Sequence, residues 1–398
     1  MLAATLALCG ATARAHEVAS EAIPDEPGWR VGAAIAVVGV DTNERWPPQT
    51  WPGVLIDGTS PRDMRGSPRI EHATLDLAAR LTTSLAVHAA IGWHDRDSAH
   101  TEAARLQWRW QRSTDRIEAT AGRDTVRMGT VIDAAGHFDL FSQMPLAKRA
   151  VTNGMWTDDG ATVAWRADAT RGLRSVEIGV WSGRKFPGSE SGDIAPSVQL
   201  SAGWGDLEMQ LFAARLHPEG RGAVVQTAGQ EGHLHNPPDC SAGLTQLVCF
   251  DGRSDVFGAA LRWEPHDLDL VMSIAGLARH ERGRLYSLSG GADYRATTNG
   301  FWADIAWQPA PQWTVAARLE RLVPTNELNG VGASLLAREA NLEGAGPVER
   351  GTLALLRQFA WGLQVSVEAG YESRAALDTS HVALRAIWWA PRLLGGTL

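Results

Sequence analysis

The sequence predicts an all-β protein, a 16-stranded antiparallel transmembrane β-barrel, on three observations. Apolar and polar residues alternate with period two in blocks of about ten residues, the length a tilted strand needs to cross a bilayer. The links between blocks are tight at every second place and mostly long in between, as in a barrel with short turns at one rim and long loops at the other. No stretch beyond residue 15 holds the roughly 18 consecutive apolar residues of a membrane-spanning helix, so a helical membrane protein is excluded.

The chain has 398 residues, 44% hydrophobic and 21% charged, which excludes a disordered protein. A closed sheet accommodates that length as one unit, because it grows by adding strands. A net charge of −8 without a Lys/Arg-dense run lacks the footprint of a nucleic-acid binder, so no nucleic-acid partner is expected.

In chain order, the apolar run Leu2 to Leu8 and the small-x-small pattern Ala13-Arg14-Ala15 predict a signal peptide over 1–15, with His16 as the mature start, although no basic residue precedes the run. Residues 16–28 are expected to be an N-terminal periplasmic segment, 29–390 the barrel and 391–398 a C-terminal tail. Strands are expected at 29–40, 69–80, 83–95, 101–112, 115–123, 159–168, 172–184, 195–204, 207–216, 254–264, 268–280, 299–308, 312–322, 348–358, 362–373 and 380–390. Alternation is weakest over 348–358, and 284–298 has room for a further strand.

Two blocks show the physical cause of the pattern. In Ala104 to Gln111 every even position is apolar and every odd one is Arg or Gln; the same split runs from Leu363 to Glu372. A soluble sandwich would need large apolar side chains inside, whereas burying so many unpaired charges in a dry core costs several kcal/mol each. The apolar face is therefore expected to meet lipid and the polar face water. Trp29, Trp204, Trp263, Trp307, Trp313, Trp361, Trp388 and Trp389 fall near strand ends, where amphipathic rings sit at headgroup level.

The polar faces segregate charge by sign: Arg80, Arg105, Arg109, Arg116 and Arg166 on early strands, Glu177, Glu208, Asp269, Asp304, Glu368 and Glu372 on later ones. Such a distribution would set up a transverse field across a pore; a solvated, unselective face is the alternative. Cys240 and Cys249 are the only cysteines after residue 15, and an oxidising compartment would join them. His94, His137 and His280 lie on different elements, and no Gly-x-Ser-x-Gly, His-Glu-x-x-His or Cys-x-x-Cys spacing occurs, so no enzyme is expected. His233, His235 and Asp239 offer metal ligands, but incidental loop histidines are the simpler reading, so no metal or cofactor is expected.

By strand count and loop order the chain resembles the Gram-negative outer-membrane porins over nearly all of its length after residue 15. Gly122-Arg123-Asp124, Gly136 to Phe141, Pro145-Leu146-Ala147 and Trp156 to Gly160 resemble the stretch around the third loop of the phosphate-selective porin O/P type. The resemblance implies that the long link 124–158 is an inward-folded third loop at the narrowest point. It would present Asp124, Arg127, Asp133, His137, Asp139, Lys148 and Arg149, with Phe138 and Phe141 packing it to the wall. It also implies homotrimers, with outer-membrane lipid and small hydrophilic solutes or ions as partners. The chain departs from the pattern in having only Lys148 and Lys185 as lysines, and in continuing nine residues past Trp389. The expected function is passive diffusion of small hydrophilic solutes or ions through a charged, water-filled pore. The alternatives are a non-conducting barrel whose long external loops, 41–68 and 217–253, bind a partner or surface, and a soluble secreted β protein.

Overall fold

In the computed structural model, the described residues are 23–46, 51–56, 63, 65–66, 68–94, 99–112, 114–167, 171–224, 240, 247–375 and 377–398. The expected signal peptide, His16 and the group His233, His235 and Asp239 lie outside them.

Seventeen strands form one antiparallel sheet: β1 (Gly28–Thr42), β2 (Arg69–Arg80), β3 (Leu85–Trp93), β4 (His100–Gln111), β5 (Asp115–Thr125), β6 (Thr157–Ala167), β7 (Arg171–Trp181), β8 (Ala195–Trp204), β9 (Leu207–Leu216), β10 (Arg221–Val224), β11 (Leu247–Trp263), β12 (Leu270–Ser287), β13 (Gly290–Ala310), β14 (Trp313–Asn329), β15 (Val348–Gln358), β16 (Leu363–Arg374) and β17 (Leu377–Thr397). Each pairs with its chain neighbour except β10, a four-residue strand that pairs with the start of β11 while β9 pairs with the rest of it. β1 pairs with both β2 and β17, which closes a barrel of 16 strands. Closure leaves no open edge, the condition for placing a sheet in lipid.

Three expectations are corrected. The region 284–298 holds no extra strand: β12 and β13 simply continue to a two-residue turn at 288–289. Residues 391–398 are not a tail, because β17 runs to Thr397 and pairs Gly395 with Arg30 and Gly396 with Trp29. Three residues, 391–393, bulge opposite Gly32, and the bulge absorbs Pro391, which cannot donate to a ladder. Asp269 lies in the link after β11, exposed, and not on a strand.

The outer surface is a band of exposed apolar side chains from every part of the ring, among them Leu77, Leu106, Ile178, Leu211, Phe257, Ile274, Leu319, Leu353 and Leu384. Water would oppose such a surface; hydrocarbon accepts it. Trp204, Trp263, Trp307, Trp313 and Trp361 are exposed beside the short links, and Trp29 and Trp388 lie at the same rim. Their indole rings form an aromatic girdle where chain meets headgroup. At the other rim, Cys240 and Cys249 are joined, with Cα atoms 6.2 Å apart, tying residue 240 to β11.

Candidate functional site

The link 126–156, between β5 and β6, holds α1 (Thr130–Ala134) and α2 (Leu146–Thr152). Gly129, at φ 124°, makes the turn into α1 in a region that only glycine enters readily, and the Asp133 carboxylate accepts the amides of Met128 and Gly129 at 3.1 and 3.2 Å. Pro145 precedes α2, and Asn153 ends it in the left-handed conformation. Lys148 is buried and donates to the Ile132 and Ala135 carbonyls, each at 2.7 Å, so it ties the end of α1 to α2. Its charge is spent inside the segment.

Burial pushes the Lys148 ammonium down to about 8, while Asp133 draws it up. A lysine depressed in the folded state costs stability as long as both states are protonated, and the cost fades as pH rises from about 8 towards the unfolded value near 10.4. The unfolding midpoint of the native chain in detergent is therefore expected to gain on that of Lys148→Met between about pH 7.5 and pH 10. Equal pH dependence of the two would remove Lys148 from this role.

Side chains from strands on the far arc of the ring reach the main chain of the segment. Arg385 on β17 binds both Glu71 oxygens, at 2.7 and 2.8 Å, and donates to the carbonyls of Asp139 at 2.7 Å, Phe141 at 3.0 Å and His137. Arg318 on β14 pairs with Asp304 and Asp139 at 2.7 Å each, donates to the Gln143 carbonyl and covers the Phe141 ring. Arg350 on β15 pairs with Glu320 at 2.7 Å and donates to the Met144 carbonyl at 2.6 Å. Glu320 in turn accepts the Leu146 amide at 2.6 Å, and Glu368 accepts the Ser142 amide at 2.8 Å. Arg279 on β12 donates to the Val151 carbonyl at 2.9 Å, and Gln210 on β9 accepts the Val131 amide at 3.1 Å.

Apolar contacts complete the seat. Val126, Met128, Val131 and Ile132 share a cluster with Phe212, Val256, Leu277 and Trp302; Phe138 packs with Ala34, Ala36 and Ile387, and Phe141 with Ala316, Ala354 and Leu356. Strand alternation could have flagged Arg279, Arg318, Glu320, Arg350 and Arg385, since each occupies an inner position, but nothing in the sequence says that they grip backbone.

The residues expected to line a pore divide into two groups. Asp304 and Glu368 belong to the grip just described, and Glu372 accepts from the Trp51 indole at 3.2 Å near Arg350. On the near arc, Arg166 bridges Glu118 at 2.8 Å and Glu177 at 3.3 Å, Arg116 pairs with Glu118 at 3.3 Å, and Arg127 reaches Glu177 at 3.5 Å. Arg105 pairs with Asp124, Arg109 binds the Asp25 carbonyl at 2.9 Å, and Arg80 binds the Pro24 carbonyl. Glu208 accepts from Gln210 at 2.6 Å. Asp124 is corrected from loop to strand, near the end of β5. Arg149 is buried over the Trp51 ring, its carbon 4.8 Å from the centroid.

Sequence spacing separated the histidines; the fold gathers four of them. β2 carries an extra residue, Glu71, between pairs Ala36–His72 and Val37–Ile70, and β4 carries Glu102 between pairs Ala90–Ala103 and Ile91–Thr101. Each bulge breaks the alternation and re-aims its neighbours. His72, His94 and His137 consequently present ligand atoms within 4.8 Å of one another, with His100 stacked on His94 at 5.5 Å.

No protein-family model matches the sequence, and no curated protein does. Solved structures do match. A loop-deletion mutant of OmpT, an outer membrane protein of Vibrio cholerae, aligns with TM-score 0.58 at 11% identity over 92% of this chain and 100% of that one. An anion-selective porin from Comamonas acidovorans aligns with TM-score 0.54 at 9% identity over 91% and 98%. The outer membrane channel DcaP of Acinetobacter baumannii aligns with TM-score 0.52 at 10% identity over 92% and 96%. At such identities the likeness is one of fold: this chain has the closed 16-stranded antiparallel β-barrel fold of these outer-membrane proteins, with an apolar exterior suited to lipid.

Proposed function

We propose that the chain is a porin that lets small hydrophilic solutes or ions diffuse through a water-filled passage, with the segment 126–156 folded inward as its constriction. The observation that carries this reading is the split of the inner wall. Charges on β12 and β14–β17 are engaged with the segment, while Arg109, Arg116 and Arg166 on the near side pair only partly and keep solvent contact. Water would fill the space between that arc and the segment, and its guanidinium groups would favour anions. Selectivity for phosphate through lysine is not part of the proposal, because Lys148 is enclosed by carbonyls. Catalysis is not part of it either. Homotrimers are proposed by likeness to an OmpT structure of Vibrio cholerae described as a trimer form.

Single-channel recording in planar bilayers tests the proposal. Steady ohmic steps are expected, and Arg109→Ala with Arg116→Ala should move the reversal potential in a salt gradient towards cations. An electrically silent barrel would instead favour a binding role for the long loops. Arg105→Ala alone should act more weakly, since Asp124 already offsets that charge. Liposome swelling with sugars, amino acids and anions would then identify the solute class.

A further inference from the structure

We propose that His72, His94 and His137 form a binding site for a divalent transition-metal ion of the Zn²⁺ class, joining the segment 126–156 to the wall at β2 and just past the end of β3. Their ligand atoms lie within 4.8 Å of one another, and His72 Nδ1 is 3.2 Å from His94 Nε2. A tetrahedral ion held by imidazole nitrogens at ~2.0–2.1 Å places those nitrogens roughly 3.3 Å apart. The His72–His94 edge already has that length, while His137, stacked on His72 with centroids 4.7 Å apart, must turn its ring as well as close in.

Hydrogen bonds orient the rings for this task. His94 Nδ1 donates to the Glu71 carbonyl at 2.9 Å, and His72 Nε2 faces Glu102 at 2.8 Å. His72 Nδ1 lies 3.2 Å from both ring nitrogens of His94, so the nitrogens of the two rings crowd together at a spacing that a shared cation would relieve. His137 Nδ1 stands 3.6 Å from the Glu71 carboxylate. Each ring thus has an oxygen partner behind it, the outer-shell pattern that fixes ligating histidines. Two carboxylates, Glu71 and Glu102, face the cluster, and Arg385 binds Glu71 from the wall. Both carboxylates come from the bulged positions, which ordinary strand alternation would have aimed elsewhere.

The site is independent of whether the barrel conducts, and its test measures binding alone. The full chain in detergent, without a polyhistidine tag, is titrated with Zn²⁺ against a chromophoric chelator. Co²⁺ serves as the spectroscopic probe. One equivalent is expected, with the Co²⁺ d–d bands of a nitrogen-rich tetrahedral site. His94→Ala and His137→Ala should each weaken binding at least about a hundredfold, and Glu102→Gln about tenfold; His280→Ala, on the outer side of β12 at Phe257, should leave it unchanged. Heat-modified gel mobility verifies that each barrel is folded. His137 lies outside the strands, so its variant keeps the test valid if a strand variant misfolds. Absence of stoichiometric binding, or binding indifferent to His94→Ala and His137→Ala, would overturn the site.

Discussion

Replacing Arg385 and Arg318 with alanine together is expected to release the segment 126–156 from the wall and raise single-channel conductance about twofold or more, with flickering between levels. Arg385 satisfies Glu71 and three carbonyls of the segment; Arg318 satisfies Asp304, Asp139 and a fourth carbonyl. Removing one partner of a buried, hydrogen-bonded pair costs about 3–5 kcal/mol, because the other charge is stranded. Here Glu71 and Asp139 would be left beside carbonyls that also lose their donors. Turning the segment away from the wall lets water reach all of them. Limited proteolysis between residues 126 and 156 supplies a second reading, and the double variant should be cut where the native chain resists. Unchanged conductance together with unchanged cleavage would mean that the apolar seat around Phe138 and Phe141 holds the segment unaided.

The second large effect concerns the residue next door. Leu384 is 60% exposed on the outside of β17, whereas Arg385 is 1% exposed on the inside. Leu384→Arg places a guanidinium in the apolar band and is expected to cost about 2–4 kcal/mol of folding stability in lipid vesicles, less if the side chain can reach an interface. The measurement is reversible denaturation in large unilamellar vesicles, followed by tryptophan fluorescence. A neutral outcome would show that this side of β17 faces water or protein and would undo the assignment of the exterior to hydrocarbon. The two variants separate the failure of a seat from the failure of a wall, though Leu384 and Arg385 are adjacent in the chain.

The barrel was legible because strand alternation is a local signal. Gln364, Ser366 and Glu368 read as inner and Val367 as outer, and the structure places them so. The end of the chain misled for a local reason as well: Pro391, Gly395 and Gly396 resemble tail residues, and only pairing with β1 reveals a strand. What the inner charges touch was not legible. Glu368 is indistinguishable by pattern from Arg116 or Glu177, yet Glu368 accepts the Ser142 amide of the segment, while Arg116 pairs with Glu118 and Glu177 with Arg166 on neighbouring strands. That difference is set by contacts more than a hundred residues apart. The histidine cluster was hidden for a third reason: bulges at Glu71 and Glu102 shift the alternation by one, so a strict period-two reading sends His72 or its neighbour to the wrong side.

The grip exerted by Arg385, Arg350, Arg279, Glu320 and Glu368 falls on carbonyls and amides of the segment. Every amino acid supplies those groups, proline's missing amide aside. Where the wall recognises the path of the chain, it tolerates replacement of side chains that it does not itself seat. New charge or bulk could be grafted at Gln143, which Arg318 holds by its carbonyl, whereas Phe138, Asp139, Phe141 and Ser142 are also seated by their side chains and set the limits of such a graft, much as a tool holder accepts different bits on one shank.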